Sequence, residues 1–243
     1  MPNTRQHRGP HPDDAQLFAP EQVPSLRQAA AELCWLLDRG YALRSAVALT
    51  GNRHGLNQRQ RLAVTRCVCS DKHRLRRAAR QVASTAVAGE ELWIDGFNLL
   101  ILIESALAGG VILMGRDGCY RDLAGLHGTY RDVAETRTAA ELIGAAAKNL
   151  HIRRCRWLLD RPVSNSGRLR DILQAIAERE GWDWQVELEF SPDRALSETS
   201  AIIVTSDSLV IDRCERWTNV GREIVGTALP HAHVIDLCAL PAQ

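Results

Sequence analysis

The sequence lacks the features that place a protein in a membrane or an export pathway. No apolar run approaches the roughly 20 residues that cross a bilayer, and the N-terminus is rich in Pro, His and Arg rather than apolar. No signal peptide is indicated, so we expect a cytoplasmic protein with no membrane partner. The charges nearly cancel, with 30 basic and 29 acidic residues, so any binding of nucleic acid must depend on a local basic patch.

Several catalytic motifs are also missing. The chain contains no GxGxxG or Walker loop, which excludes the common nucleotide-binding signatures, and no GxSxG elbow of a Ser-His-Asp hydrolase. The seven cysteines are odd in number and scattered, which argues against a disulfide framework. Cys67 and Cys69 with His73 resemble half a metal site, but no second half lies nearby in the sequence, so inert thiols are favoured.

The 243 residues, 45% of them hydrophobic, suffice for one large domain or two small ones. Residues 1–20 are rich in Pro and predict a flexible arm. In residues 21–85 apolar side chains recur at helical spacing, and Gly40 and Gly51 end two of the helices, which predicts a small helical domain.

This helical domain carries many basic side chains, among them Arg59, Arg61 and Arg66. Two interpretations stay open. The basic face is either a solvated helix surface or a patch that contacts phosphates. A helix, a turn with Gly and an Arg-rich helix are also compatible with a helix-turn-helix.

From residue 90 the pattern changes to strands that alternate with helices. We predict strands near 92–95, 110–114, 153–159, 184–190, 201–205 and 232–237, and helices near 97–108, 136–150, 167–180 and 208–218. This alternation predicts an α/β domain over residues 90–243, with a mostly parallel sheet and helices on both faces. Between the second strand and its helix, Asp117 and Gly118 predict a tight turn. Asp117 and Asp122 there belong either to a lid or ligand of the site, or to a polar surface hairpin.

Three strand-like runs end in an aspartate, namely Asp95, Asp160 and Asp207. Because the carboxyl ends of parallel strands meet at one edge of a sheet, these carboxylates would repel one another unless a cation lay between them. Mg²⁺ or Mn²⁺ suits such oxygen ligands, and a metal-activated water could attack a phosphodiester. The alternative is that these acids cap the following helices or pair with a neighbour. Asp236 is a weaker fourth candidate.

Two polar segments could bind substrate beside the acids. Asn98 either orients a water or phosphate oxygen or ties the loop together. The segment with Ser164, Asn165, Ser166 and Arg168 leads into a helix whose free N–H groups could bind an anion, with charge from Arg168. An ordinary Ser cap is the alternative.

The segments WIDGFNLL and IIVTSDS resemble the first and fourth strand motifs of PIN-like nucleases, especially the NYN branch. The resemblance covers about residues 90–240 in short motifs. It implies a PIN-like fold and a Mg²⁺ or Mn²⁺ site that cuts RNA, with the family's positions at Asp95, Asn98, Ser206 and Asp207 and a middle acid at Asp160. The chain as a whole also resembles a prokaryotic family of unknown function with RDGCYRDLAG-like and DRPVSNSG-like segments.

Together these features predict a metal-dependent ribonuclease, with RNA as its partner and phosphate contacts from Arg59 and Arg61. Two alternatives stay open. One is a non-catalytic RNA- or DNA-binding protein on the same scaffold, and the other is a phosphohydrolase for a small phosphorylated metabolite. A homodimer is also left open.

Overall fold

The structure, a computed structural model, describes residues 7–125 and 130–238. Its helices in this part of the chain are α1 (Asp14–Leu17), α2 (Val23–Asp38), α3 (Leu43–Arg53), α4 (Gln58–Cys67), α5 (Asp71–Arg80), α6 (Gly96–Leu107), α7 (Thr136–Asn149), α8 (Ser166–Glu180), α9 (Pro192–Glu198), α10 (Ser208–Ile211) and α11 (Val220–Ala228). Its strands are β1 (Glu91–Asp95), β2 (Ile112–Met114), β3 (Tyr120–Asp122), β4 (Arg154–Asp160), β5 (Trp184–Glu189), β6 (Ile202–Val204), β7 (Arg216–Thr218) and β8 (Val234–Asp236).

The main sheet has five strands in the order β5-β4-β1-β6-β7, and every pairing in it is parallel. The chain runs outward from β1 to β4 and β5 on one side, then returns to add β6 and β7 on the other. The direction therefore reverses between β1 and β6. In open α/β sheets ligands bind at this switch point, in the crevice outside the carboxyl ends of the strands.

Helices cover both faces of this sheet. Along β4, Trp157 and Leu159 belong to the core formed with α6, α7, α8 and α11, whereas Leu158 belongs to the core formed with α9 and α10. This alternation follows from the two-residue period of a strand. The expected α/β class with a parallel sheet, preceded by a helical region, is confirmed.

A second, small sheet has the order β3-β2-β8, with β2 antiparallel to β3 and parallel to β8. The strands expected near 110–114 and 232–237 therefore pair here and do not extend the main sheet. The predicted turn at Asp117-Gly118 joins β2 to β3, and Gly118 adopts a φ of 80° that favours glycine.

The helical region and the small sheet share one hydrophobic core. Leu113 of β2 and Ile235 of β8 lie in the same buried cluster as Leu26 and Leu33 of α2. This packing gives the helical region a fixed position on the α/β domain, because burying apolar surface is the main force that holds such elements together.

The segment before α2 is packed, in contrast to the flexible arm expected for residues 1–20. Phe18 is buried, and the Arg8 guanidinium lies 2.5 Å from the carboxylate of Glu104 on α6. Residues 1–6 lie outside the described part of the chain.

The predicted helix over 208–218 was wrong beyond its first turn. Helix α10 ends at Ile211, and β7 then pairs with β6. Trp217 explains the strand, because its ring is fully buried and its Nε1 donates to Arg77 O at 2.8 Å. Helices α9 and α11 were not predicted. Among the described residues no helix is long and apolar enough to cross a bilayer.

Candidate functional site

Asp95 lies at the switch point of the main sheet. It ends β1, its side chain is buried, and its Oδ2 accepts a hydrogen bond of 2.7 Å from the Thr205 hydroxyl beyond β6. Burial raises the pKa of Asp95 to about 7; the Thr205 hydrogen bond opposes the rise, and repulsion from Asp207, Asp193 and Asp160 adds to it. A buried carboxylate with such neighbours is typical of a functional site.

The carboxylates of the other predicted acids lie around Asp95. Burial and the charge of Asp193 raise the pKa of Asp160 at the end of β4. Burial and the charge of Asp207 raise the pKa of Asp193, while Arg213 lowers it. The structure therefore brings Asp95, Asp160 and Asp207 to one edge, as expected, and adds Asp193 from the first turn of α9.

The site fits a hydrated cation better than an all-protein cage. Its charge and its oxygen donors suit Mg²⁺ or Mn²⁺, yet no three His, Cys, Asp or Glu side chains within 7–125 and 130–238 lie close enough to hold a metal. Asp207 also caps α10, because its Oδ1 accepts from Leu209 N at 2.7 Å and Val210 N at 3.2 Å. Since Mg²⁺ usually binds one or two carboxylates and keeps several waters, these residues fit an ion held partly through water.

Asn98 fixes the loop that carries Ser206 and Asp207. Its Oδ1 accepts from the backbone N of Ser206 at 2.8 Å and from the Ser206 hydroxyl at 3.0 Å. Asp207 N in turn donates to the Thr205 hydroxyl at 3.0 Å. Of the two roles considered for Asn98, the structure therefore shows the one that ties the loop together.

A cleft of about 730 Å³ opens between the helical region and this edge of the sheet. Asn98, Ser206 and Asp207 line it from the sheet, and Arg66 and His73 line it from the helical region. Part of the basic face of the helical region therefore faces the acidic edge of the main sheet.

A buried ion network joins the two sides of this cleft. Arg77 of α5 donates to Asp117 Oδ2 at 2.5 Å and binds Asp212 through Nε at 2.7 Å and Nη2 at 2.8 Å. Arg121 binds both oxygens of Asp117, at 2.9 and 2.7 Å, and donates through Nε to Ser206 O at 2.7 Å. The two guanidinium groups hold the pKa of Asp117 at about 2, against the effect of its burial.

Asp117 and Asp122 are thus structural side chains rather than parts of an open lid. The Asp117 carboxylate is 1% exposed and lies between two arginines. Asp122 is also buried, and Arg66 lies against its carboxylate and its backbone carbonyl.

The side chains of the segment before α8 make hydrogen bonds within the protein. Ser166 is buried, and its hydroxyl donates to the carbonyls of Asp160 at 2.5 Å and Val163 at 2.6 Å. Asn165 adopts a left-handed conformation with a φ of 70°, and its Nδ2 donates to Tyr130 O at 2.8 Å. These two side chains therefore hold the loop, and the predicted anion site at the start of α8 stays a prediction.

Ser164 and Arg168 complete this segment. The Ser164 carbonyl accepts from Tyr130 N at 3.1 Å. The exposed Arg168 donates to Asp132 Oδ2 at 3.3 Å. Neither side chain lines the large cleft.

The two arginines expected to contact RNA are engaged elsewhere. Arg59 binds both carboxylate oxygens of the buried Asp14, at 2.5 and 2.8 Å. Arg61 donates to Leu56 O at 2.8 Å and to Asn52 Oδ1 at 2.9 Å. Neither lines the large cleft, so Arg66 and His73 are better placed to meet a ligand there.

One further candidate acid, Asp236, lies outside the acidic edge. Asp236 ends β8 in the small sheet, and its Oδ1 accepts from Cys238 N at 2.8 Å.

The thiol of Cys238 donates to the carbonyl of Cys67 at 3.3 Å. All seven cysteines are free thiols.

Sequence reasoning missed two residues of the site. Asp193 comes at a helix start, directly after Pro192, and so lacks the apolar run that marked the other acids. Thr205 lies between the buried strand β6 and Asp207 in the VTSD segment. The only sequence signal for Thr205 was a hydroxyl side chain close to an aspartate at the end of a strand.

Fold and site together define an α/β protein with an acidic crevice at the switch point of a parallel sheet. Residues 84–223 match the family described as "Domain of unknown function (DUF5616)". This match covers more than half of the chain, which therefore belongs to that family. Residues 25–80 match a second family, "Protein of unknown function (DUF434)".

One relative supports the same extent of similarity. The chain is 28% identical over 188 residues to "Uncharacterized protein MJ0935" of Methanocaldococcus jannaschii. The aligned region covers 77% of this chain and 89% of the relative. No solved structure matches the chain. The descriptions of both families and of this relative name no activity.

Proposed function

We propose that this protein is a Mg²⁺- or Mn²⁺-dependent phosphodiesterase that cleaves RNA. The observation that carries the proposal is Asp95, buried at the switch point, with a pKa near 7 and repelled by Asp160, Asp193 and Asp207. Carboxylates that repel one another at one edge of the sheet are costly unless a cation neutralises them. The motif resemblance to PIN-like nucleases agrees with this chemistry.

Each residue of the site has a distinct task in this proposal. Asp95, Asp160 and Asp207 supply carboxylate oxygens, and Asp193 adds negative charge. Thr205 orients Asp95 by donating to its Oδ2. A bound cation would lower the pKa of an attacking water and offset the charge of the phosphate.

The loop that carries Asp207 must keep its position for the site to work. Asn98 holds the Ser206 amide and Arg121 holds the Ser206 carbonyl. Because Arg121 is tied through Asp117 to Arg77 of the helical region, the helical region supports the site as well as forming the far wall of the cleft. RNA enters that cleft, where Arg66 offers a positive group and His73 a ring nitrogen for hydrogen bonds.

The proposal includes a cytoplasmic location. All seven cysteines are unpaired thiols, and a reducing compartment keeps thiols in this state.

The second candidate is a non-catalytic RNA-binding protein on the same scaffold. It is favoured by the use of Asp207 Oδ1 as a helix cap and by the lack of a three-ligand metal group among residues 7–125 and 130–238.

A cleavage assay separates the two candidates. A labelled RNA oligonucleotide is incubated with the full chain and Mn²⁺, Mg²⁺ or a chelator. The nuclease predicts cleavage that needs the cation and is lost in Asp95→Asn. Retained RNA binding, with no cleavage under any of these conditions, would support the non-catalytic candidate.

A further inference from the structure

The order of strands places a second kind of surface beside the acids. Along the carboxyl edge the strands follow the order β5, β4, β1 and β6. Phe190 directly follows β5, Arg161 directly follows β4, and Asp95 ends β1. Neighbouring strands lie about 4.8 Å apart, and Asp95 pairs with Leu158, three residues before Arg161, so Phe190 begins roughly 14 Å from Asp95.

Two of the eight exposed large apolar side chains of the described residues lie at this edge, and the other six lie in the helical region. Phe190 is 69% exposed and Leu209 is 61% exposed, the two largest values for a large hydrophobic side chain among the described residues. Phe190 lies three positions before Asp193, and Leu209 lies two positions after Asp207. Single exposed apolar residues are common, but this pair flanks the carboxylates from both sides.

Phe190 also has a cationic partner. The Arg161 guanidinium lies 4.7 Å from the centroid of the Phe190 ring. The backbone N of Arg161 donates to the carbonyl of Glu189 at 2.7 Å, which joins the chain segments that carry the two side chains. An exposed aromatic ring beside a guanidinium is the arrangement on which single-stranded nucleic acids stack their bases.

We propose that Phe190 and Arg161 form a stacking platform for one unpaired base of the RNA, next to the phosphate that the acids receive. This inference rests on the proposed function and specifies its substrate as a single strand. In a duplex the base is already stacked between its neighbours and cannot lie on the ring without being extruded.

The platform is tested by binding in an Asp95→Asn background, where the RNA is not cut. The affinity for a short single-stranded oligoribonucleotide is measured by fluorescence anisotropy. Phe190→Ala should weaken it by about 5- to 150-fold, the range expected for one stacked base. Phe190→Trp should retain it, because the larger ring still stacks.

The helical region offers a matched control. Trp35 is 53% exposed, and the Arg39 guanidinium lies 3.5 Å from its ring centroid, so it is the same kind of pair away from the acidic edge. Trp35→Ala should leave the affinity unchanged. A second control is an oligomer without bases, on which Phe190→Ala should have no effect.

The possible failures are distinguishable. If Phe190→Ala binds single-stranded RNA as tightly as its parent while the wild-type protein still cleaves RNA, the platform is refuted and the proposed function stands. An equal loss of affinity in Trp35→Ala would also refute the platform. If the wild-type protein shows no cation-dependent cleavage, the nuclease proposal fails, whatever Phe190→Ala does to binding.

Discussion

The Thr205 hydroxyl donates to Asp95 Oδ2 at 2.7 Å, and this bond joins the ends of two neighbouring parallel strands. It lies at the point where the order of the sheet reverses, and it lowers the pKa of Asp95 while burial and three acids raise it. The hydrogen bond therefore favours the charged form that a cation would need.

Thr205→Val removes this donor and leaves the shape of the side chain nearly unchanged. We expect the pKa of Asp95 to rise above about 7, because the charged form loses its hydrogen bond. The pH–rate profile of RNA cleavage should then shift to higher pH. Thr205→Ser, which keeps the hydroxyl, should restore the wild-type profile, and an identical profile for Thr205→Val would contradict this role.

Asp95→Asn should change stability in a way that depends on pH. The folded pKa of about 7 lies above the ordinary aspartate value of 3.8, so the folded protein holds a proton that the unfolded chain releases. Wild-type stability should therefore fall as the pH rises from about 4 through about 7, and then level off. The variant lacks this loss and should be more stable than the wild type at pH 8, by a few kcal/mol.

Thermal unfolding in the absence of divalent cations measures this effect. The difference in Tm between Asp95→Asn and the wild type should be clear at pH 8 and should nearly vanish at pH 4. An equal difference at both values would show that the charge of Asp95 is not its cause.

Asp117→Asn should destabilise the connection between the helical region and the site. The variant leaves the buried Arg77 and Arg121 without their shared carboxylate, and breaking such a buried pair costs about 3–5 kcal/mol. Asp117 has a folded pKa of about 2, below the ordinary aspartate value of 3.8. Its contribution is therefore complete above about pH 4 and is lost as the pH falls through 2.

Chemical denaturation at neutral pH checks this prediction. Asp183→Asn serves as the control, because Asp183 pairs with Arg154 at the exposed surface and such pairs contribute little. A similar small change in both variants would refute the structural role of the network.

Arg59→Ala should lower stability and leave RNA binding unchanged. Its partner Asp14 is buried and would lose the two hydrogen bonds that Arg59 donates, at a cost of about 3–5 kcal/mol. The double variant Arg59→Ala with Asp14→Asn should recover part of that loss. If Arg59→Ala instead weakened RNA binding without a change in Tm, Arg59 would be a phosphate contact after all.

The sequence predicted the parts of this protein that depend on local patterns. Buried strands that end in Asp95, Asp160 and Asp207 were recognisable because the apolar run and the acid are adjacent in the chain. Short elements held by long-range contacts were not recognisable. Strand β7 has three residues and forms because Trp217 is buried against α5, which no local pattern reveals.

The roles of the charged residues could not be read from the sequence either. The basic positions of the helical region looked alike, yet Arg59 and Arg77 bind buried acids from distant parts of the chain, Asp14 and Asp117. Which arginine pairs internally and which faces the cleft is decided by the packing of the helical region against the α/β domain. The sequence also could not show that the Ser166 hydroxyl donates to two backbone carbonyls of its own loop.

The most direct test of the central claim is the rate at which the full chain cleaves single-stranded RNA in the presence of Mn²⁺, compared between the wild type and Asp95→Asn. The account predicts cleavage by the wild type that stops when the cation is chelated, and no cleavage by a folded Asp95→Asn protein. Cleavage that persists in Asp95→Asn, or that does not need the cation, would contradict it.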